Sequence, residues 1–311
     1  MDIQDYKLYV LLEGEPNSPE IEGFQMLLDD TDIIEFVEIG GSGSFNTITK
    51  LIYNKVKKRE NHIHHTIPVL AIADRDFRNL SLENTQPDNE LIAKNNPKKL
   101  FWERHEWENF LLDELDVLTS FLNELPPTEL LDHRPSKKIA ENIEKEAINI
   151  FLLQYFQSQV ETEFIECLKF RFSENSKVYP KLIKPKDIKG IAGLRRWYES
   201  EITEQTDKSK NKIESCHSIF DEILEEYNWK NWIQDPRSLS LEDGKKFFRG
   251  KEAFQSLLNE LTKKFKISNL NEKILKQRIL KDLERRPESI LVAQINKILL
   301  PYLQKAKEIL E

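Results

Sequence analysis

The sequence predicts an α/β fold: a mainly parallel sheet flanked by helices in the first 130 residues or so, then an all-helical region. Three observations predict it. Short apolar runs alternate with helical patterns between residues 6 and 78, the βαβ manner that gives parallel strands joined by right-handed crossovers. Two of those runs end abruptly in acidic residues. Beyond residue 136 almost every segment carries apolar residues at helical spacing.

Taken in order, residues 7–12 (KLYVLL) form the first strand, with Glu13 and Gly14 at its tip. Pro19, with Ser18 before it, opens a helical pattern in PEIEGFQMLLDD, because proline suits the first helical position and serine the cap. The second strand spans 33–39 and leads into a Gly-rich turn, GGSGSF. A helix follows from Asn46 to about Arg59, where Ile48, Leu51, Ile52 and Val56 recur on one face. The third strand, 67–73, ends in Asp74 and Asp76, and residues 78–99 are polar enough for a loop. A fourth strand, 99–102, runs into a helix within FWERHEWENFLLD. Pro126-Pro127 and HRPSKK then divide the chain into domains 1–130 and 131–311. Helices are expected at 136–175, 186–203, 210–233, 250–265 and 270–309, with breaks at Pro180, Pro185, Pro236 and Gly244.

At 311 residues, 32% of them charged and with mean hydropathy −0.57, the chain reads as soluble and helix-rich. No window approaches the ~18 consecutive apolar residues of a membrane span, so no membrane partner is expected. The N-terminus lacks the pattern of a secretory leader. The two cysteines, Cys167 and Cys216, have no C-x-x-C spacing, which argues against a disulfide framework and for a cytoplasmic setting. The net charge of −8 is uneven. Residues 1–135 carry 13 Lys+Arg against 26 Asp+Glu, whereas 136–311 carry 33 against 28. An acidic half suited to cations and a basic half suited to phosphate fit a nucleic-acid enzyme, and equally fit decorated solvent faces.

Acids at the carboxyl ends of parallel strands stand where open α/β sheets place their ligands. Glu13, Asp74 and Asp76 should therefore converge at one sheet edge. Asp74 and Asp76 should point to the same side, because a strand repeats every two residues. Oxygen ligands in that number suit Mg²⁺, with Mn²⁺ as a substitute. Such an ion can position a phosphate and generate a nucleophile in phosphoryl transfer. The plain structural alternative is an acidic loop cap.

The order strand–Glu13–Gly14, Gly-rich turn (Gly40, Gly41, Gly43), strand–Asp74-x-Asp76 resembles the TOPRIM fold of topoisomerases, primases and overcoming-lysogenization-defect (OLD) nucleases. The resemblance implies that Glu13 is a general acid/base or metal ligand and that Asp74 and Asp76 hold the cation. It sharpens at FWERHEWENFLLD, similar to a segment that follows D-x-D-F in OLD-like members. Leu100, Phe101, Arg104, Trp107, Glu108, Asn109, Phe110, Leu111 and Leu112 match there, and Phe77 matches the aromatic after D-x-D. By that resemblance Glu108 is a fourth catalytic candidate; by itself it also reads as a helix-start acid. The TOPRIM effectors of PARIS-type antiphage defence belong to this group. The resemblance to them implies a partner ABC-like ATPase and cleavage of RNA, such as tRNA, rather than DNA. One departure is the loop EGEPNSPE, where the family's downstream acid is replaced or displaced to Glu20, which bears on a second metal.

In the helical region Lys245, Lys246, Arg249 and Lys251 cluster at a helix start and would bind a nucleic-acid backbone, or form a solvated basic turn. Lys184, Lys186, Lys189, Arg195 and Arg196 run into Trp197 and Tyr198, which suits base stacking or, at helical spacing, a core. His62, His64 and His65 lack the partners of a zinc site, and His105 could shuttle protons. There is no P-loop, nucleophile elbow or dinucleotide fingerprint, so nucleotide energy would come from the partner. The expectation is a Mg²⁺-dependent endonuclease whose helical domain binds substrate, partner or a second copy of the chain. Its rival is a non-catalytic TOPRIM-shaped module docking on an ATPase. Primase-like nucleotidyl transfer would need nucleotide-binding elements that the sequence does not offer.

Overall fold

Strands β1 (Leu8–Leu12), β2 (Ile34–Glu38), β3 (Val69–Ala73) and β4 (Lys99–Phe101) pair in the order β2-β1-β3-β4, every neighbour parallel. The computed structural model describes residues 8–13, 19–28, 31–40, 42–63, 67–80, 85, 87, 99–124, 142–174, 182, 188–205, 210–265 and 271–308. From β1 the chain steps outward to β2 through α1 (Pro19–Leu27), then returns across the sheet to β3 through α2 (Ser42–Ile63). The direction of winding therefore reverses between β1 and β3. That reversal opens a crevice beyond their carboxyl ends.

Alternation along the strands sorts the apolar residues onto two faces. Leu11, Val69, Ala71 and Ala73 meet Ile48, Ile52 and Val56 of α2. Leu8, Val10, Leu12, Leu70, Ile72 and Leu100 join a much larger core that runs on into the helical region. The axis of that region is α5 (Lys145–Glu174), reached after the short α3 (Glu108–Leu111) and α4 (Leu115–Glu124). Its Leu152, Phe156, Val160, Phe164, Leu168 and Phe172 recur every four residues and are buried. Around it stand α6 (Gly190–Gln205), α7 (Lys210–Glu225), α8 (Trp229–Gln234), α9 (Leu241–Phe247), α10 (Gly250–Phe265), α11 (Glu272–Leu283) and α12 (Ile290–Glu308). The core is continuous from Leu8 to Ala306, and the expected boundary near residue 130 lies outside the described residues.

The expected strands are present within two residues at either end, and the α/β sheet followed by helices stands as expected. Several helix limits differ. α2 begins at Ser42, inside the Gly-rich element, once Gly40 at φ 75° has made the turn. The helix expected over 210–233 breaks where Tyr227 and Asn228 take left-handed φ, and that over 270–309 breaks at Glu284–Ser289, around Pro287. Gly244 is no break at all. It sits inside α9, where a Cβ would come within 2.4 Å of the Phe156 ring. Ser18, Gly14, His64, His65, Lys184 and Lys186 lie outside the described residues.

One buried side chain ties the sheet to the helices. The Asn109 amide donates 2.8 Å bonds to the carbonyls of Lys245 and Phe248, while its oxygen accepts the Glu106 N–H at 2.8 Å. Gly250 must be glycine to allow this approach: a Cβ there would lie 2.4 Å from the Asn109 oxygen and 2.6 Å from its backbone nitrogen. Gly250→Ala should therefore lose about 1–3 kcal/mol in chemical denaturation, as overpacking of a closed contact does. A variant within about 0.5 kcal/mol of the parent, the range of neutral surface changes, would contradict the contact.

Candidate functional site

Among the described residues, the crevice between β1 and β3 collects six carboxylates. Glu13 follows the last residue of β1, its N–H still bonded to the Ile72 carbonyl at 3.3 Å, and its carboxylate faces the backbone N–H of Asp74. Asp74 follows β3 and accepts the Trp107 N–H at 3.2 Å. Glu20, in the first turn of α1, is buried and takes the indole N–H of Trp102 at 3.1 Å. Glu106 and Glu108 arrive on the segment after β4. Their fields reach one another: the charges raising the Asp74 pKa are those of Glu20, Glu108, Glu106 and Asp76.

One expectation about these acids fails. β3 ends at Ala73, so the two-residue period does not extend through Asp74 and Asp76. Asp76 instead adopts a left-handed backbone (φ 49°), donates its N–H to the His105 carbonyl at 2.9 Å and holds Arg78 at 2.7 Å. The two aspartates thus have different neighbours within one crevice while their charges still act on each other. Asp74 looks toward Glu20 and Glu108, whereas Asp76 and Glu13 share the neighbourhood of Lys99 and Arg78.

Electrostatically the site is short of positive charge. Desolvation by burial raises the pKa of Glu13, Asp74 and Asp76, helped at Glu13 by Asp76, and pushes Glu20 and Glu106 up to about 8. Among the described residues the counter-cations are specific. Arg78 bonds Asp76, Lys99 lies near Glu13 and Asp76, and Lys276 of α11 bonds Glu108 at 3.0 Å and Glu272 at 2.8 Å. The Lys251 N–H at the start of α10 donates to Glu106 at 2.8 Å.

Two observations bear on whether a cation fits. The Oε2 atom of Glu13 is buried without a hydrogen-bond partner among the described residues, an orphaned anionic oxygen of the kind a hard cation satisfies. Against this, no three His, Cys, Asp or Glu side chains among the described residues are grouped tightly enough to hold a metal ion. Magnesium needs only one or two carboxylates and keeps several waters. The donor set of Glu13 with Asp74 or Asp76 meets that smaller requirement.

The expected nucleic-acid cluster divides. Lys245 is buried against Asp113 at 3.7 Å, and Arg249 is bound by Glu163 at 2.7 Å and Glu252 at 3.1 Å. Lys246 and Lys251 remain exposed. In the second basic stretch Arg195 pairs with Asp221, while Trp197 and Tyr198 are core residues rather than stacking platforms. Sequence reasoning missed Glu106, Lys99 and Lys276 as members of the site and took Glu20 only as a displaced acid. The density of acids in FWERHEWEN was the available signal for Glu106; Lys276, 168 residues from Glu108, had none.

Two of the buried groups are shifted in opposite directions. Burial, with Arg249, Arg75 and Arg78 nearby, holds His105 neutral and pushes its pKa down to about 3, although Glu106 lies 3.7 Å away. Its contribution to stability is present above its ordinary pKa of about 6.5 and is lost as pH falls toward 3. Glu20 works oppositely: its contribution is present below the usual carboxylate range and is lost as pH rises through about 8. Denaturation across a pH series should show Glu20→Gln gaining on the parent from pH ~5 to ~8, and His105→Phe gaining as pH falls below ~6. Differences independent of pH would mean that neither group is buried as described.

No protein-family model matches this chain, and no curated protein matches it. What the crevice does has to be read from its side chains.

Proposed function

We propose that this chain is a TOPRIM-like, OLD-type nuclease that hydrolyses phosphodiester bonds with Mg²⁺, or Mn²⁺, at the β1–β3 crevice. The observation that carries the reading is the meeting of Glu13 with the Asp74–Asp76 loop, where its carboxylate faces the Asp74 backbone N–H and lies near Asp76, at the point where the winding of a parallel sheet reverses. Glu13, Asp74 and Asp76 would hold the cation, with Glu20 and Glu108 beside them. The bound ion would neutralise phosphate charge and lower the pKa of an attacking water. As the alternative to coordination, Glu13, whose pKa is raised by burial, would hold or release a proton. Lys99 lies where it can offset charge on the phosphate.

The motif order and the Glu108-Asn109-Phe110-Leu111-Leu112 segment support the further reading as an antiphage effector. In it the substrate is RNA such as tRNA, the partner is an ABC-like ATPase and the setting is cytoplasmic. No helix among the described residues is long and apolar enough to cross a membrane. A non-catalytic module docking on that ATPase is favoured instead by the ion pairs Asp76–Arg78 and Glu108–Lys276, which already occupy two of the carboxylates.

Neutral isosteres separate the two. Glu13→Gln and Asp74→Asn should each lower Mg²⁺-dependent cleavage of total RNA or plasmid by about 10²–10⁴-fold, the range of an essential acid–base group. At pH ~8 without metal, Asp74→Asn should melt no lower than the parent, because it removes a charge that burial disfavours. Cleavage unchanged in both variants would refute the nuclease. No rise in melting temperature of the parent with Mg²⁺ or Mn²⁺ would favour the module.

A further inference from the structure

The loop that carries Asp74 and Asp76 is not self-supporting. Asp76 has φ 49°, a conformation that residues with a Cβ adopt only when their surroundings impose it. Besides the bond of its own N–H to the His105 carbonyl, support for it comes from about 150 residues away in sequence. Arg75 extends from between the two aspartates and donates to the Tyr227 hydroxyl at 2.7 Å and to the Glu103 carbonyl at 2.9 Å. Its guanidinium lies 5.2 Å from the Tyr227 ring and 5.3 Å from that of Phe247. The same hydroxyl donates onward to the Arg78 carbonyl at 3.1 Å. Arg78 in turn closes the loop, bonding the Asp74 carbonyl at 3.1 Å and the Asp76 carboxylate at 2.7 Å.

Tyr227 is aimed by strain of its own. It and Asn228 are consecutive left-handed residues in the turn between α7 and α8. The adjacent Glu226 receives Arg171 at 2.6 Å, and Arg171 also donates to the Phe77 carbonyl at 2.6 Å. The helical region thus holds the loop at two points, through Tyr227 and through Arg171.

We infer that Tyr227 is a positioning residue for the candidate metal site: through Arg75 and Arg78 its hydroxyl fixes the left-handed Asp76 that the site requires. The inference rests on the metal-centre reading for its purpose but not for its geometry. It gives the helical region a defined role, since anything that moves the α7–α8 turn, a docking partner included, changes the acid geometry without touching it.

Tyr227→Phe tests this, because it keeps the ring over Arg75 and removes only the hydroxyl. Amide hydrogen exchange should quicken about tenfold at residues 74–79, roughly one net hydrogen bond's worth, and stay unchanged in α10. The Mg²⁺ concentration giving half the thermal shift, and half the cleavage rate, should rise by a similar factor, with the substrate KM unmoved. Unaltered loop exchange, or faster exchange throughout the protein, would overturn the inference. Loop-confined quickening in a protein whose parent ignores Mg²⁺ would uphold Tyr227 as the fixing residue and remove the metal reading instead.

Discussion

Six carboxylates share one crevice, and water cannot reach all of them well enough to stabilise full ionisation. That electrostatic crowding is the constraint from which the rest of the molecule follows. Parallel strands must end somewhere, and beyond the ends of β1 and β3, where the winding of the chain reverses, the next residues are acids. Placing acids there costs folding free energy, as the raised pKa values of Glu13, Glu20, Asp74, Asp76 and Glu106 register. Acids shifted in this way cluster at functional sites, and a cation bound there would offset the cost.

Most of the helical region can be understood as support for that crevice. Lys276 brings a positive charge to Glu108 from α11, the start of α10 caps Glu106, and Asn109 fastens the Glu106–Glu108 segment to the turn before α10. The turn between α7 and α8, with Arg171 of α5, holds the loop of Asp74 and Asp76. The site is therefore built by long-range contacts around a short sheet, not by the sheet alone. This explains why the core runs without interruption from the strands into the helices.

The sheet was legible in the sequence because apolar runs of strand length, each closed by a polar residue, leave little alternative. Glu13 and Asp74 were legible for the same reason, standing at the ends of two such runs. Asp76 was misread, since strand alternation was extended one turn too far and nothing local announces a left-handed aspartate. Which members of the basic cluster Lys245–Lys251 are already paired was not legible, because Asp113, in the turn after α3, and Glu163 of α5, which bind Lys245 and Arg249, are distant in sequence. Gly244 misled in a related way, being a packing glycine against Phe156 rather than a helix breaker.

A cation bridging the ends of β1 and β3 is the centre of the proposed function, and locating that ion tests it most directly. Crystals grown with Mn²⁺ and measured at its absorption edge would place the metal by anomalous scattering. The account predicts a peak at about 2.0–2.2 Å from Glu13 and from Asp74 or Asp76, with Oε2 of Glu13 no longer orphaned. A map with no peak in the crevice, and the Glu13 oxygen satisfied by water or a lysine, would contradict it.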